Sequence, residues 1–372
     1  MEDSPNSHSE SRIAEVLKSF RDCAKGKPKE YVAKMAATLK GMALMDIQMK
    51  RYTDAEAEYK EAIKIYLSLE EADIPGTYLP DVAGTLINLG ALLYQTNRVA
   101  EAEGKYNDAL IIFRSLEAEN PGEYLSYVAM TLNNLGELHR MTQEYSKAEA
   151  ELVETLEVYR SLAADKPKEY LPYVAGTQNN LGILYYMIDR PTDAGAEYAE
   201  ALKNYRSLAV DKSEEYLPYV AGTLNNLASL LLQSQLTSQA EKAYAEALKI
   251  YRSLAESNPE EYLPYVATTL YNLGILHAQA KNYKVAEAEW LESLDIRRPL
   301  AAANPGASLS YVAASSWNLG IFYWRMLEDI PRATSAIQES YEAYEKLCDI
   351  APGVFEKSLL QTKVALELLK KS

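Results

Sequence analysis

Residue types that commonly carry out acid–base or metal chemistry are scarce in this chain. Three histidines occur in 372 residues. His8 lies in a polar N-terminal segment, whereas His139 and His277 occupy a position that is filled by Tyr185 in another copy of an internal repeat. Histidines at such a position are expected to be core variants rather than metal ligands or general bases. The sequence contains no P-loop, nucleophile elbow, Cys-x-x-Cys or His-Glu-x-x-His motif. We therefore expect no enzyme activity, no cofactor and no metal site.

Charge and cysteine content narrow the classes of partner. The net charge is −15, and Lys and Arg form no cluster that could meet a nucleic-acid backbone or an anionic membrane. This charge is typical of a soluble protein, and a basic partner protein is the sharper alternative. Cys23 and Cys348 fall at apolar helix positions near opposite ends of the chain, which favours buried thiols over a disulfide. Without a signal-peptide pattern or an apolar run of about 18 residues, the chain is expected to be cytoplasmic.

A long internal repeat organises the sequence. A string beginning Val-Ala recurs every 46 residues, at positions 82, 128, 174, 220, 266 and 312. A more divergent copy covers about 31–81, and a half-repeat helix precedes it over 12–30. Residues 1–11 are expected to be a disordered polar tail. Residues 354–372 lack the repeat pattern and predict an amphipathic capping helix, which a stacked array needs to cover its last core face.

Each unit contains two amphipathic helical patterns. In the second pattern of one unit, apolar and small residues recur at offsets 0, 4, 7, 8, 11 and 14, which form one stripe on a helix. These residues are Ala194, Tyr198, Ala201, Leu202, Tyr205 and Leu208. Gly182 recurs in the first pattern and predicts a close approach of two helices, because glycine forfeits about 1 kcal/mol of helix propensity relative to alanine.

Units begin with Asn-Pro-Glu-Glu or a variant of it. Asn258 is expected to cap the first helix, and Pro259 suits the first turn. A second proline, Pro264, predicts a bend or a fresh start before the main helix.

The repeat resembles the tetratricopeptide family. One unit has Leu181-Gly182-x-x-Tyr185, followed by Ala194, Tyr198 and Ala201, which is the family pattern. The phrase Pro-Tyr-Val-Ala-x-Thr-Leu-Asn-Asn-Leu at 218–227 is similar to the long units of kinesin light chains. The resemblance covers 31–353 as seven repeats of about 46 residues. It implies an all-α fold, an α-α superhelix of about seven helical hairpins followed by the capping helix.

Three variable positions share one side of the first helix of each unit. They stand at offsets 0, 4 and 7, and the family resemblance implies that they line one concave groove in which extended or helical peptides bind. Asparagine amides suit main-chain hydrogen bonding, and tryptophan and tyrosine suit anchoring of a partner. The candidate peptide-binding residues are Asn133, Asn179, Asn225, Arg140, Ile183, Tyr186, Tyr271, Ile275, Trp317, Ile321 and Trp324.

Several of these positions have alternative explanations. Trp317 and Trp324 could instead pack against the capping helix. An invariant asparagine column is expected to be structural, hydrogen-bonded to the adjoining repeat, because a repeated buried amide needs a partner. Its members are Asn88, Asn134, Asn180, Asn226, Asn272 and Asn318. The groove columns supply only scattered bases, Lys40, Arg140 and Arg325, which disfavours the carboxylate clamp of chaperone-binding family members.

The sequence thus predicts a non-enzymatic scaffold that binds a peptide or a segment of a partner protein. A self-assembling structural or regulatory solenoid that forms homo-oligomers is the alternative hypothesis.

Overall fold

The computed structural model describes residues 13–15, 18, 28–72 and 76–370. All regular elements among them are helices, as the repeat pattern predicts. Residues 1–11 and most of the expected half-repeat helix 12–30 lie outside the described residues. The chain divides into two compact units, residues 1–189 and 190–372. In the described parts of both units, no helix is long and apolar enough to cross a membrane.

The first unit is a succession of α-helices, each packed against the next along the chain. The first helices of two successive hairpins, α5 and α7, also touch. From residue 28 onward, the helices of this unit are α1 (Pro28–Gln48), α2 (Tyr52–Ala72), α3 (Leu79–Gln95), α4 (Val99–Glu119), α5 (Leu125–Met141), α6 (Tyr145–Asp165) and α7 (Pro167–Met187).

The second unit has the same construction, with each helix packed against the next and with α9 touching α11. Its last helix is the cap expected from the sequence, and it packs against α14. The helices are α8 (Pro191–Asp211), α9 (Ser213–Gln233), α10 (Thr237–Ser257), α11 (Pro259–Gln279), α12 (Tyr283–Ala303), α13 (Pro305–Met326), α14 (Ile330–Ile350) and α15 (Glu356–Leu369).

Glycines in the first helices allow the helices of a hairpin to approach closely. A Cβ atom added at Gly274 would lie 2.5 Å from Cδ1 and Nε1 of Trp290. At Gly90 it would lie 2.7 Å from the ring of Tyr106. The packing reason that the sequence pattern predicts for the small residues is therefore confirmed at these two positions.

The turn inside each hairpin has a repeated geometry that the sequence does not reveal. In the turn after α3, the N–H of Asn97 donates to Tyr94 O at 2.9 Å, and the N–H of Arg98 donates to Leu93 O at 2.8 Å. This is the Schellman ending of a helix, which usually has glycine at the left-handed position. Non-glycine residues with φ between 53° and 65° occupy this place here, and they are Lys50, Asn97, Gln143, Asp189, Gln235, Lys281 and Glu328. The turn at Glu328 differs in its hydrogen bond, because the N–H of Asp329 donates to Tyr323 O at 3.0 Å.

The side-chain cap expected at Asn258 is not formed, and no fresh helix starts at Pro264. Asn258 precedes α11, but its side chain makes no cap hydrogen bond and its Nδ2 instead donates to Glu261 Oε2 at 2.6 Å. Helix α11 then continues without interruption through Pro264. Pro264 is the sixth residue of this helix, and the hydrogen bond lost there is the one that its N–H would donate to the carbonyl of Glu260.

Tyrosines join successive hairpins. Tyr251, near the end of α10, stacks on Tyr265 of α11 with ring centroids 5.1 Å apart, and Tyr262 lies 6.4 Å from Tyr265. The same arrangement occurs in the first unit, where Tyr159 stacks on Tyr173 at 5.1 Å. The interpretation of the recurring tyrosine pairs as packing between repeats is confirmed here.

Candidate binding face

In the first unit, the candidate residues are half-buried side chains on α5 and α7. Arg140 is paired with Glu137 on its own helix, with Nη2 and Oε2 2.8 Å apart, and its Nη1 approaches Met187 Sδ at 3.4 Å. The charge of Arg140 is therefore already compensated. Ile183 and Tyr186, the other two candidates of α7 besides Asn179, are also half-buried.

The invariant asparagine column links adjacent repeats. Asn180 donates through Nδ2 to Asn133 Oδ1 at 3.3 Å. In the second unit, Asn318 donates in the same way to the hydroxyl of Tyr271. The structural role expected for this column is confirmed at these two positions. The bond also means that Asn133, a candidate binding residue, helps to hold α5 and α7 together.

The two polar atoms of the Asn225 side chain on α9 differ in their hydrogen bonding. Its Nδ2 donates to Thr269 Oγ1 of α11 at 2.8 Å. Its Oδ1 is buried, and no described residue donates a hydrogen bond to it. A buried amide oxygen without a donor is unfavourable by about 1–3 kcal/mol, so this face contains an acceptor that an additional donor would stabilise.

A cleft of about 350 Å³ opens between α11 and α13. Three candidate residues, Tyr271, Ile275 and Ile321, line it, and side chains that the sequence did not single out complete it. These further lining residues are Ala278, Gln279, Trp290, Asn318, Phe322 and Met326. Tyr271 and Ile275 line the cleft from α11, and Ile321 lines it from α13.

Trp290 of α12 and Phe322 of α13 are buried aromatic residues of this cleft. Their rings meet edge to face with centroids 5.0 Å apart, and Trp290 Nε1 donates to Tyr271 O at 3.0 Å. Burial raises the pKa of Tyr271, and the hydrogen bond from Asn318 opposes this rise only in part. The phenol therefore stays neutral at physiological pH, and the cleft offers an apolar surface with amide groups of Asn318 and Gln279.

The two remaining aromatic candidates have a different position. Trp317 and Trp324 are half-buried against a hydrophobic cluster that also contains residues of the capping helix α15, namely Ala365, Leu366 and Leu369. Neither tryptophan is among the residues that line the cleft. The guanidinium of Arg325 lies over the ring of Trp324 at 4.5 Å. The five candidate residues of this patch all pack against the same cluster, but only Tyr271, Ile275 and Ile321 line the cleft.

Comparison with known proteins places these helices in a family. Residues 81–161 and 219–298 match the family model described as tetratricopeptide repeat. These two segments of the chain are similar to tetratricopeptide repeats. The matched segments include α4 and α5 in the first unit and α10 and α11 in the second. No curated protein is significantly similar to the chain in sequence.

Several solved structures are similar to this chain at low sequence identity. The crystal structure of BtubC (BKLC) from P. vanneervenii is 22% identical to this chain in sequence and has a TM-score of 0.52. The match covers 68% of this chain and 93% of that one. The apo form of RapI is 14% identical, with a TM-score of 0.57 over 84% of this chain and 99% of RapI. Kinesin light chain TPR-like repeats from Podosopora anserina give 13% identity and a TM-score of 0.45, over 61% and 98% of the two chains. At these identities the likeness to BtubC and RapI is one of fold alone.

The two histidines of the tetratricopeptide units are buried, as predicted, but each contacts two carboxylates. His139 Nδ1 lies 2.7 Å from Glu151 Oε2, and its Nε2 lies 3.1 Å from Glu103 Oε1. His277 Nδ1 likewise lies 2.7 Å from Glu289 Oε2. Periodicity places a histidine in the core but does not show which acidic residues of the neighbouring helices reach it.

Carboxylates next to His139 bring three possible ligand atoms together. Glu103, His139 and Glu144 offer atoms within 4.8 Å of one another. Lys147 Nζ lies 2.7 Å from Glu144 Oε2 and 3.7 Å from Glu103 Oε1, so its ammonium group forms ion pairs with both carboxylates. The geometry of this cluster is that of an ion-pair network rather than of a set of metal ligands.

Proposed function

We propose that this chain is a non-enzymatic scaffold that binds a segment of a partner protein along the exposed face of its first helices. The observation that carries the proposal is the cleft lined by Tyr271, Ile275 and Ile321. Tetratricopeptide arrays use the surfaces of stacked hairpins to bind other polypeptides, and the variable residues of this chain stand on that face.

The cleft suits one or two apolar side chains of a peptide. Its volume of about 350 Å³ lies at the lower end of the range for small-molecule pockets. The buried rings of Trp290 and Phe322 provide the aromatic surroundings that are typical of interface hot spots. Asn318 and Gln279 place amide groups next to this apolar surface, where a peptide backbone needs donors and acceptors.

The other candidate residues extend the proposal to both units. Asn179, Ile183 and Tyr186 in the first unit, and Asn225 in the second, are half-buried and therefore only partly accessible. Within each unit taken by itself, we expect polar contacts to these residues to fix the register of a bound segment, and in the second unit we expect the cleft to supply most of the affinity.

A substitution at the cleft rim tests this proposal. Met326 lines the cleft and is 55% exposed, so M326E should leave the fold intact while placing a charge where an apolar group would bind. Val210 on α8 is 84% exposed and lies outside the cleft lining, which makes V210E a matched control. Loss of a hot-spot contact corresponds to about tenfold or more in affinity.

The wild-type chain and both variants would be used as baits in cells that express the protein, and the bound proteins compared by mass spectrometry. Calorimetry with a peptide from the recovered partner then measures the affinity. We expect M326E to lose the partner and V210E to retain it. Equal retention by M326E, or equal loss in V210E, would contradict the proposal.

The capping helix provides an observation that favours homo-oligomerisation as a second function. One face of α15 is buried, while Leu360, Val364 and Leu368 are 46–61% exposed at offsets 0, 4 and 8. An apolar stripe of this kind on a terminal helix can pair with the same stripe of a second copy. Sedimentation velocity would detect a dimer at tens of micromolar, and V364E should convert it to a monomer. A wild-type chain that is monomeric at these concentrations would eliminate this function.

A further inference from the structure

Arg297 occupies a position that belongs to an aromatic residue in the preceding units. Residues 46, 92 and 138 positions earlier are Tyr251, Tyr205 and Tyr159. Tyr251 stacks on Tyr265 of the following helix, and Tyr205 stacks on Tyr219 at 5.2 Å. The change to arginine in α12 therefore replaces a ring in the junction between hairpins with a cation.

The guanidinium of Arg297 is buried among neutral groups. The residue is 7% exposed. Its Nη2 donates to Thr268 Oγ1 at 3.3 Å, and its Nη1 donates to Ser315 Oγ and, at 3.5 Å, to Tyr311 O. Its Cζ lies 5.1 Å and 5.5 Å from the ring centroids of Tyr271 and Tyr311. Every partner of the charge within the described chain is an uncharged oxygen or an aromatic ring.

Two other arginines, one of them next to Arg297 in the sequence, form ion pairs with glutamate carboxylates. Arg298, the next residue, pairs with Glu339 through Nε and Oε1 at 2.8 Å. Arg252, at the corresponding position one repeat earlier, pairs with Glu292 at 2.5 Å. Both arginines are exposed to solvent by 43–50%. Arg297 has the reverse combination, namely burial without a carboxylate in ion-pair range among the described residues.

A cavity of about 230 Å³ opens beside this cation. Four residues that carry a hydroxyl group line it with Arg297, namely Tyr265, Thr268, Ser308 and Tyr311, and Pro264 and Leu300 complete the lining. Hydroxyls and a guanidinium are the donors that oxyanions bind, and the lining contains no acidic side chain. None of these residues is a candidate residue of the binding face, so the cavity is a separate feature.

We infer that this cavity is a binding site for a single carboxylate group, which Arg297 holds with the help of the surrounding hydroxyls. One guanidinium neutralises one negative charge, and its planar fork matches the two oxygens of a carboxylate. A doubly charged phosphate would leave one charge unmatched in a protein whose net charge is already −15. The carboxylate comes either from a free organic acid or from an acidic side chain of a partner segment.

Burial lowers the pKa of Arg297, and the nearby tyrosines Tyr271 and Tyr311 oppose that effect in part. Because an arginine begins far above neutral pH, the guanidinium keeps its proton and its charge. The cavity therefore holds a permanent positive charge across the physiological pH range.

The test follows the Arg297 side chain directly in the full chain. Arginine Nε–H resonances are recorded by ¹⁵N NMR, and the Arg297 signal is assigned by its loss in R297Y. Tyrosine is the residue of the preceding units at this position, so R297Y is expected to fold. R252M removes an exposed, paired arginine and serves as the matched control.

Three probes are titrated at constant ionic strength against chloride: acetate, N-acetylglutamate methylamide and inorganic phosphate. We expect the Arg297 resonance to shift saturably with acetate at about 1–10 mM, a range typical of so small a ligand. The shift should persist in R252M. Saturation by acetate alone assigns the site to free acids, and tighter binding of the glutamate compound assigns it to an acidic side chain.

Results of three kinds would overturn the inference. The Arg297 resonance could fail to respond to either carboxylate beyond the chloride control. It could respond more strongly to phosphate than to acetate. Finally, the melting temperature can be measured with and without carboxylate. If carboxylate raised the melting temperature of R297Y as much as that of the wild type, the binding site would lie elsewhere on the chain.

Discussion

Replacing Arg297 with tyrosine is expected to make the protein more stable in the absence of ligand. Arg297 is buried, with 7% of the residue exposed, and its guanidinium has no carboxylate partner in the described chain. Removing such an ion from water has an unfavourable free energy of several kcal/mol. Three hydrogen bonds to neutral oxygens and two ring contacts offset only part of this cost.

The preceding repeat shows what tyrosine would gain at this position. Tyr251 stacks on Tyr265, and its hydroxyl donates to Pro218 O at 3.4 Å. A tyrosine at 297 would meet Tyr311 and Pro264 in the corresponding places. The new aromatic pair contributes about 1 kcal/mol, and with relief of the buried charge we expect R297Y to raise the free energy of unfolding by about 1–3 kcal/mol.

Tryptophan fluorescence is the appropriate readout, because all three tryptophans lie between residues 290 and 324 and therefore report on the region around residue 297. Urea unfolding of R297Y should shift to a higher midpoint than that of the wild type. The reverse change, Y251R, should lower the midpoint, since it buries a charge where a stacked ring now stands. R252M should change the free energy by less than about 1 kcal/mol, because exposed ion pairs contribute little. A lower midpoint for R297Y would show that the buried charge is well compensated, and the reasoning would be refuted.

Two further changes test the packing and the electrostatics of the repeats. G274A should lower the free energy of unfolding by about 1–3 kcal/mol, because its Cβ would lie 2.5 Å from the Trp290 ring; a melting temperature equal to that of the wild type would contradict this. Burial lowers the pKa of His139, but its hydrogen bonds to Glu151 and Glu103 outweigh burial and raise it overall, while burial raises the pKa of Glu151. Both groups hold protons more tightly in the folded state. The contribution of His139 is fully present below about pH 6.5 and is lost as the pH rises through its folded-state pKa. Urea unfolding is measured at a series of pH values that rise from about 6.5, the ordinary histidine pKa. The stability of H139Y should fall less steeply with rising pH than that of the wild type, and identical slopes would exclude this linkage.

The sequence predicted the fold well because the 46-residue period compares each residue with its counterparts in other units. Gly274 and Gly90 could be identified as close-packing positions, and Asn180 as structural, because each recurs in its column. The contact between the Asn258 amide and the Glu261 carboxylate could not be predicted from the sequence. A side chain that is able to cap a helix can also hydrogen-bond to a nearby glutamate.

Prediction of the site was less complete, because periodicity identifies the residues on one helix face but not those that meet it from the next helix. Tyr271, Ile275 and Ile321 were predicted from their offsets, whereas Trp290 and Met326 reach the same cleft from outside the three columns. Arg297 is instructive in a different way. It interrupts a column of tyrosines in the sequence, and that interruption is a signal that could have been found before the cavity beside it was known.

The central claim, that a partner segment lies on the first-helix face at the cleft, is tested most directly by site-specific photo-crosslinking. A photoreactive amino acid is placed at Met326, on the rim of the cleft, or at Val210, on a second helix, in the full chain expressed in its native cells. We predict that irradiation links a discrete partner protein to position 326 and not to position 210. Adducts that form equally at both positions, or at position 210 alone, would contradict the account.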